Sequence, residues 1–575
     1  MSKPVFLPKT DPPSLAQPYY TFSVPEARPF VTVAQDPQHG DFGPFTPNTL
    51  TSGLQEAINY VAGLGGGTIY IKEGTYLVNY PIFITSSNIE LRGSGMFTTK
   101  IQMGPNAQTP FPFNPMIMVG YNVNQQFFQV SDITVRDLNI DPLPLGSTST
   151  LTWIGVALVG VSRAHLENLH TSSPGIFSIL IECSVGPNGA NLEHVVINNI
   201  VNTGLGATLY LGDVFPGVTV SSPGNTRNVQ VSNIIDYVNA SSGDDRIAIF
   251  AGNNTLTQHV QLNDILVYID TNGSGVNGVK FDPHGSGHIT DVIVQNYEFF
   301  NYGPFQSGAT FPIITQNTGA TSSSVTSVEN IIFRDCIFYG ANNISVPLFQ
   351  TGNGYIYTQP FCIFDGVYSL HNQATNLEGT YILSNPSPPQ SGVTEYITIK
   401  NGVVERSAPF TGAADSVLMF FSSSTVNFGG FVTIDNVVTH NVASFGNPYP
   451  PIYSYQVNLN PQNIMVRNLR GTNQPLAAPT ISANPPASGT VYQNTNGYPI
   501  KILLPAYATT SGTAGTVAIA LGASSTPSTI TTVQVPGTTS SSATELITLD
   551  VPSGWYYSFT ASGVTFATAT VLPIL

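Results

Sequence analysis

Residues 133–138 read ITVRDL, and the same short phrase returns down the chain as HLENL (165–169), VINNI (196–200), VQVSNI (229–234), LNDI (262–265), IVQNY (293–297), IIFRDC (331–336), IFDGV (363–367), ITIKNG (397–402), VTIDNV (432–437) and IMVRNL (464–469). Each phrase alternates apolar residues and then places an Asp or Asn. From Asp137 to Asn168, Asn199, Asn233, Asp264 and Asn296 the steps are 31, 31, 34, 31 and 32 residues. A period of this length signals stacked supersecondary units rather than one globular core. Within each unit the apolar period is two, with β-branched residues between Gly, Asn and Ser turns, so the units are coils of short strands and not helix pairs. Coils stacked in parallel close their backbone hydrogen bonds up and down one axis, which is a parallel β-helix. The recurring Asn or Asp fits an inward turn position, bonded to its counterpart one coil away, with some Asp steps turned outward.

The bulk composition agrees with an all-β chain. The 575 residues are 41% hydrophobic, too apolar for disorder, yet only 9% are charged, and there are 53 Gly and 44 Pro. Turns and an Asn, Ser and Thr surface therefore replace the usual charged exterior. The net charge is −15, which excludes nucleic acid as a partner, since that requires clustered Lys and Arg. It also argues against anionic membrane surfaces. Cys183, Cys336 and Cys362 are too few for a disulfide framework and are read as buried apolar side chains. No metal-ligand spacing appears, and no cofactor is expected. No apolar run is long enough to cross a bilayer. The opening MSKPVFLPKTDPP lacks the apolar core of a secretory signal.

Four regions follow. Residues 1–45 form an extended Pro-rich arm carrying Phe6, Leu7, Tyr19, Tyr20, Phe22 and Phe30, more apolar weight than a solvated tail needs. Residues 46–476 form the β-helix, 477–489 a Pro/Ala/Ser linker, and 490–575 a small antiparallel β-sandwich of alternating strands such as KILLPAY, TVAIAL and ELITLDV. At the start of the β-helix, Leu54, Ala57, Ile58 and Val61 have helical spacing, and Gly65, Gly66 and Gly67 end the helix. The helix LQEAINYVAGLGGG, the strand TIYIKEGTYLV and the coil IELRGSG closely resemble the N-terminal cap of the pectate-lyase-like right-handed β-helix superfamily, which includes polygalacturonases, pectate lyases and phage tailspikes. The resemblance implies an all-β, right-handed parallel β-helix with an N-terminal capping helix, and a helix over the open end is what a solenoid physically needs.

Chemistry is read from a second phrase that follows the repeat: GIFSILIECS from Gly175, GLGATLYLGD from Gly204, GDDRIAIFAG from Gly243 and GVNGVKFDPHG from Gly275. With Ile179, Leu209, Ile247 and Val279 inward, alternation sends Leu180, Tyr210, Ala248 and Lys280 outward, places Arg246 outward, and puts Asp282 and Glu182 in a second outward row. Residues 236–288 hold eight charged residues in 53 positions, against the chain's 9%. Trp153, in LTWIGVAL, faces outward by the same register, so Trp153 and Tyr210 are candidate sugar-stacking rings, with Arg246, Lys280, Asp282 and Glu182 as substrate-binding residues. GDDRIAI resembles the GDDCIAI phrase of polygalacturonases, where two Asp are catalytic. The resemblance nominates Asp244 and Asp245, with His284 of DPHGSGHI as a further acid or base. The match departs at Gly204, where the family has a third Asp, and at Gly273-Ser274-Gly275, where it has Gly-His-Gly. The alternative for Asp244 and Asp245 is a tight turn bonding backbone amides.

Three functions fit these features. The first is a structural protein of a virion surface (a tailspike, fibre or turret) that recognises host glycans, with polysaccharide-degrading activity left open, forms a homotrimer and contacts other virion proteins through its arm and C-terminal domain. The second is a secreted polygalacturonase-like hydrolase or lyase. The third is a cell-surface adhesin. The first is favoured, with a virion-surface or extracellular location.

Overall fold

The computed structural model describes residues 28–108, 114–124, 126–142, 153–171, 177–182, 191–203, 206–212, 224–238, 245–252, 254–269, 276–283, 285–302, 311–316, 325–340, 343–351, 354–372, 379–384, 386, 392–406, 416–440, 452–472, 480–481, 487–494, 500–509, 513–535, 545–552, 555–566 and 570–573. Among these the chain is almost entirely strand, and most of it is one parallel β-helix.

The repeats of the sequence are the long strands Val130–Asp141, Val161–Thr171, Leu192–Asn202, Thr226–Val238, Leu256–Ile269 and His288–Asn301, each paired in parallel with the next. Short strands complete the same coils in a second parallel sheet, which includes Trp153–Val159, Phe177–Glu182, Ala207–Leu211, Asp245–Phe250, Asn277–Asp282 and Ile313–Thr315. Alternate residues of both sheets meet in one continuous apolar core.

The recurring Asn and Asp stand in the left-handed region, with φ 58° at Asp137, 51° at Asn168, 55° at Asn199 and 53° at Asp264. This bends each long strand sharply, and Asn and Asp tolerate that conformation best among residues with a side chain. Their side chains point outward, contrary to the inward position expected from sequence, because a left-handed residue between two inward apolar positions throws its Cβ to solvent. The expected ladder is present: Asn168 Nδ2 donates to Asp137 Oδ1 at 2.8 Å, and Asn199 Nδ2 to Asn168 Oδ1 at 2.8 Å. A second left-handed row, at Asp132, Arg163, His194, Asn228, His259, Asp291 and Asn330, lies five residues earlier in each repeat. Its mixed residue types hid it from the sequence.

At the N-terminal end, Phe30–Val33 pairs in parallel with Gly67–Ile71. The helix Leu54–Gly63 buries Leu54, Ala57, Ile58 and Val61 into the solenoid core. Its Gln55 clasps the backbone of Phe83, accepting from the amide at 2.7 Å and donating to the carbonyl at 3.0 Å. At the other end of the chain, two antiparallel sheets contribute Ile502, Leu504, Val517, Ile519, Ile547, Leu549 and Phe559 to a second apolar core. This unit rests on the β-helix flank. Leu503 is buried against Tyr268 and Phe300, with Leu546 beside it, and Lys501 Nζ reaches Glu298 Oε1 at 2.5 Å.

Candidate functional site

The outward row of the shorter-strand sheet is the one expected. Parallel register places Leu180 beside Tyr210, Tyr210 beside Ala248, and Ala248 beside Lys280, while Phe250 lies beside Asp282. Lys280 is the centre of the patch. Its Nζ lies 3.0 Å from Asp245 Oδ2 and 3.3 Å from Asp282 Oδ2, with the Phe250 ring centroid 5.5 Å away. Asn277 Nδ2 donates to Asp245 Oδ1 at 2.8 Å. Phe250 is buried and forms the floor, and the half-buried Tyr210 stacks over it with centroids 4.1 Å apart and planes 25° from parallel. Asp282 is 1% exposed and Asp245 20% exposed, so of the two carboxylates only Asp245 has appreciable access to solvent.

One coil further along, the sheet breaks between Ile313–Thr315 and Ile344–Ser345. A cleft of about 190 Å³ opens there, lined by Thr315, Ser345, Val346, Leu348, Phe349, Ile382 and Ser384. Hydroxyls, apolar walls and an aromatic ring make it chemically suited to a neutral, hydroxylated ligand.

Two expected surface residues lie inside the molecule. Arg246 is fully buried and bidentate with Asp236, with Nε to Oδ2 and Nη2 to Oδ1 both 2.7 Å. The outward placement failed because two consecutive residues, Arg246 and Ile247, face inward where the strand begins, and simple alternation allows one. Gly278, in register with Arg246, confirms the bend: a Cβ there would fall 1.9 Å from the hydroxyl of Tyr297, a core residue. Asp236 occupies an interior row between the core residues Ile234 and Val238, and it also accepts from Asn202 Nδ2 at 3.0 Å. Asn202 in turn donates to Thr208 Oγ1 at 2.9 Å, and Thr171 and Ser178 continue the network. Trp153 is likewise 4% exposed and part of the core, because the same inward doubling occurs at Gly155 and Val156.

Asp244 and His284 lie outside the described residues, as does the side chain of Glu182, whose backbone ends the strand Phe177–Glu182. His288 stands apart from Lys280. It opens a long strand and places Nδ1 2.9 Å from Ser327 Oγ. Phe250 and Asn277 were missed as site residues. Phe250 was legible as the next outward position after Ala248, whereas the reach of Asn277 to Asp245 needed the coil-to-coil register. Among the described residues, no group of three or more His, Cys, Asp or Glu side chains is placed to hold a metal ion, and no helix is long and apolar enough to cross a membrane.

No family model and no curated protein matches this sequence. Solved structures do. The tailspike protein of E. coli bacteriophage HK620, in complex with a pentasaccharide, aligns at 13% identity over 94% of this chain and 93% of its own, with a TM-score of 0.40. The A-module of an Azotobacter vinelandii mannuronan C-5 epimerase aligns at 12% identity over 77% of this chain and 100% of its own, with a TM-score of 0.39. The catalytic domain of a GH87 α-1,3-glucanase, in complex with tetrasaccharides, aligns at 12% identity over 77% of this chain and 69% of its own, with a TM-score of 0.34. The parallel β-helix of this chain stands on its own strand pairing.

Proposed function

We propose that this chain is a glycan-recognising protein of a virion surface, tailspike-like in design, whose ligand face is the outer face of the shorter-strand sheet. The carrying observation is the Tyr210–Phe250–Lys280 patch with its two carboxylates. A ring face, a cation and acceptors within two strand spacings suit a saccharide, which offers an apolar ring face and hydroxyls together. The nearby cleft supplies room for a second sugar unit. The pentasaccharide and tetrasaccharides named for the tailspike and glucanase neighbours belong to the ligand class proposed here. In this reading the helix Leu54–Gly63 is the cap of the solenoid and the C-terminal sheets are a β-sandwich. The homotrimer and the attachment to other virion proteins through arm and C-terminal domain belong to the same proposal.

Binding to a glycan array tests it. Tyr210→Ala and Lys280→Gln should each weaken the best ligand by about tenfold, equivalent to about 1.4 kcal/mol, with circular dichroism unchanged. Absence of any saccharide ligand, or indifference to both substitutions, would refute the assignment. Hydrolysis is a separate arm. Reducing-end release that the Asp244→Asn, Asp245→Asn double variant abolishes would make the protein a glycosidase. Saccharide binding without release leaves it a binder.

A further inference from the structure

The face that carries Tyr210 and Lys280 is almost bare of cations. Residues 143–325 contain four Lys or Arg against twelve Asp or Glu, a balance of 4 − 12 = −8 within a chain of net charge −15. Three of the four cations are placed elsewhere. Arg163 stands on the long strand Val161–Thr171 and grips Asp132 through two bonds of 2.7 Å. Arg227 belongs to the long strand Thr226–Val238 of the same sheet. Arg246 is enclosed with Asp236 in the interior. Lys280 is therefore the sole cation that residues 143–325 bring to the outer face of the shorter-strand sheet. The acidic residues are many by comparison. Glu182, Asp245 and Asp282 belong to that sheet's strands, and Asp213, Asp244 and Asp270 belong to the connections between these strands and the long ones.

Lys280 is moreover already engaged. Its Nζ lies 3.0 Å from Asp245 Oδ2 and 3.3 Å from Asp282 Oδ2, so the patch sets two carboxylates against one ammonium, −2 + 1 = −1. An ammonium has three donors. Two are directed at carboxylates held on adjacent coils, and the third suits one hydroxyl oxygen. A carboxylate, phosphate or sulfate on a ligand would compete with two resident anions for a single cation and would meet a net negative field. A sugar hydroxyl meets neither obstacle. It can accept from Lys280 and donate to Asp245, whose side chain is 20% exposed. The cleft at Thr315 continues the same selection, since none of its lining residues is charged.

We propose that this face selects uncharged saccharides and rejects acidic ones, so that the units bound here carry no uronate, sialic acid, phosphate or sulfate. This selectivity, which rests on the glycan-binding reading above, is enforced by charge and not by shape.

Calorimetric titration of the full chain with a panel of uncharged and acidic oligosaccharides tests it. The best ligand should be uncharged. The same oligosaccharide, after oxidation of its primary alcohols to carboxylates, should bind at least about tenfold more weakly at about 0.01 M salt, and the gap should shrink several-fold at about 1 M, where charges are screened beyond about 3 Å. Asp245→Asn removes one negative charge and keeps an acceptor for Asn277. It should shrink the gap at low salt by a similar factor, read as the ratio of the two dissociation constants so that a general loss of affinity cancels. An acidic saccharide as the best ligand overturns the proposal and leaves the glycan-binding reading standing. So does a gap that salt leaves unchanged, which would assign the rejection to shape. An unchanged ratio in Asp245→Asn, with its circular dichroism intact, would remove the Lys280 patch as the cause and overturn it as well. Absence of any saccharide ligand would overturn the glycan-binding reading and this selectivity together.

Discussion

Arg246 has its guanidinium in the middle of an apolar solenoid, where Asp236 is its bidentate carboxylate partner. Asp236 supplies both acceptor oxygens, and Asn202 and Thr208 extend the polar chain through the next coil back. A buried pair of this geometry is roughly neutral against a well-packed apolar pair, but removing one member strands a charge at a cost of about 3–5 kcal/mol. Asp236→Ala should therefore cost about that much in chemical denaturation. The Asp236→Leu, Arg246→Met double variant should recover most of the loss. If the double variant were as unstable as the single, the pair would contribute net stabilisation and not only a fixed register. The sequence made Asp236 and Arg246 visible as charges, but gave no sign that they share an interior row.

At the scale of the coil, the repeating element is a strand bent at a left-handed residue whose amide or carboxylate bonds the coil beside it. This explains why the motif tolerates both Asn and Asp: the backbone needs a residue that accepts φ near 55°, and the ladder needs a donor at one step and an acceptor at the next. Asn199 separates the two demands. Asn199→Gly should keep the bend and lose only the exposed side-chain bond, for about 0.5–1 kcal/mol. Asn199→Val should cost more, about 2 kcal/mol, because a β-branched side chain resists that φ. Equal losses in urea unfolding would mean that the side-chain bond and not the bend decides the site. This element was the most legible part of the chain, since its period and its Asn or Asp appear in every repeat. The direction of the side chain was misread because an alternation rule assumes an unbent strand. The same assumption displaced Arg246 and Trp153.

Across the whole molecule, the two cores are joined by a small contact in which Leu503 enters an aromatic row on the β-helix flank. Tyr237 and Tyr268 stack there at 5.2 Å with planes 8° apart, and Tyr302 continues the row. Lys501 and Glu298 close the contact with an ion pair, both side chains about one-fifth exposed. Among the described residues the docking rests on Leu503, Leu546 and one ion pair, a contact small enough to be reversible, so Leu503→Arg should release the C-terminal unit. Small-angle scattering would then show a larger radius of gyration with unchanged far-ultraviolet dichroism. An unchanged radius would place the hold elsewhere, in the chain segments that connect the two cores. The docked unit leaves the Lys280 face and the cleft at Thr315 on a different sheet from the one it covers, which is why the proposed ligand face and the domain contact are separable by mutation.

The sequence by itself determined the coil, because period-two apolar residues with Asn or Asp every 31–34 positions can satisfy their backbone groups only by stacking in parallel. It determined the outward row of Tyr210, Ala248 and Lys280 for the same reason, once Ile247 and Val279 were fixed inward. Tertiary structure alone decided the rest: which residues double up inward at a strand start, that Asp236 reaches Arg246, and that Asp282 and Asp245 share one ammonium. Local alternation records which way a side chain leaves its own strand. What it meets depends on neighbours on other strands, 10 residues away for Asp236 and Arg246 and a full coil away along the Asn and Asp ladder, and on bends that shift a coil by a single position.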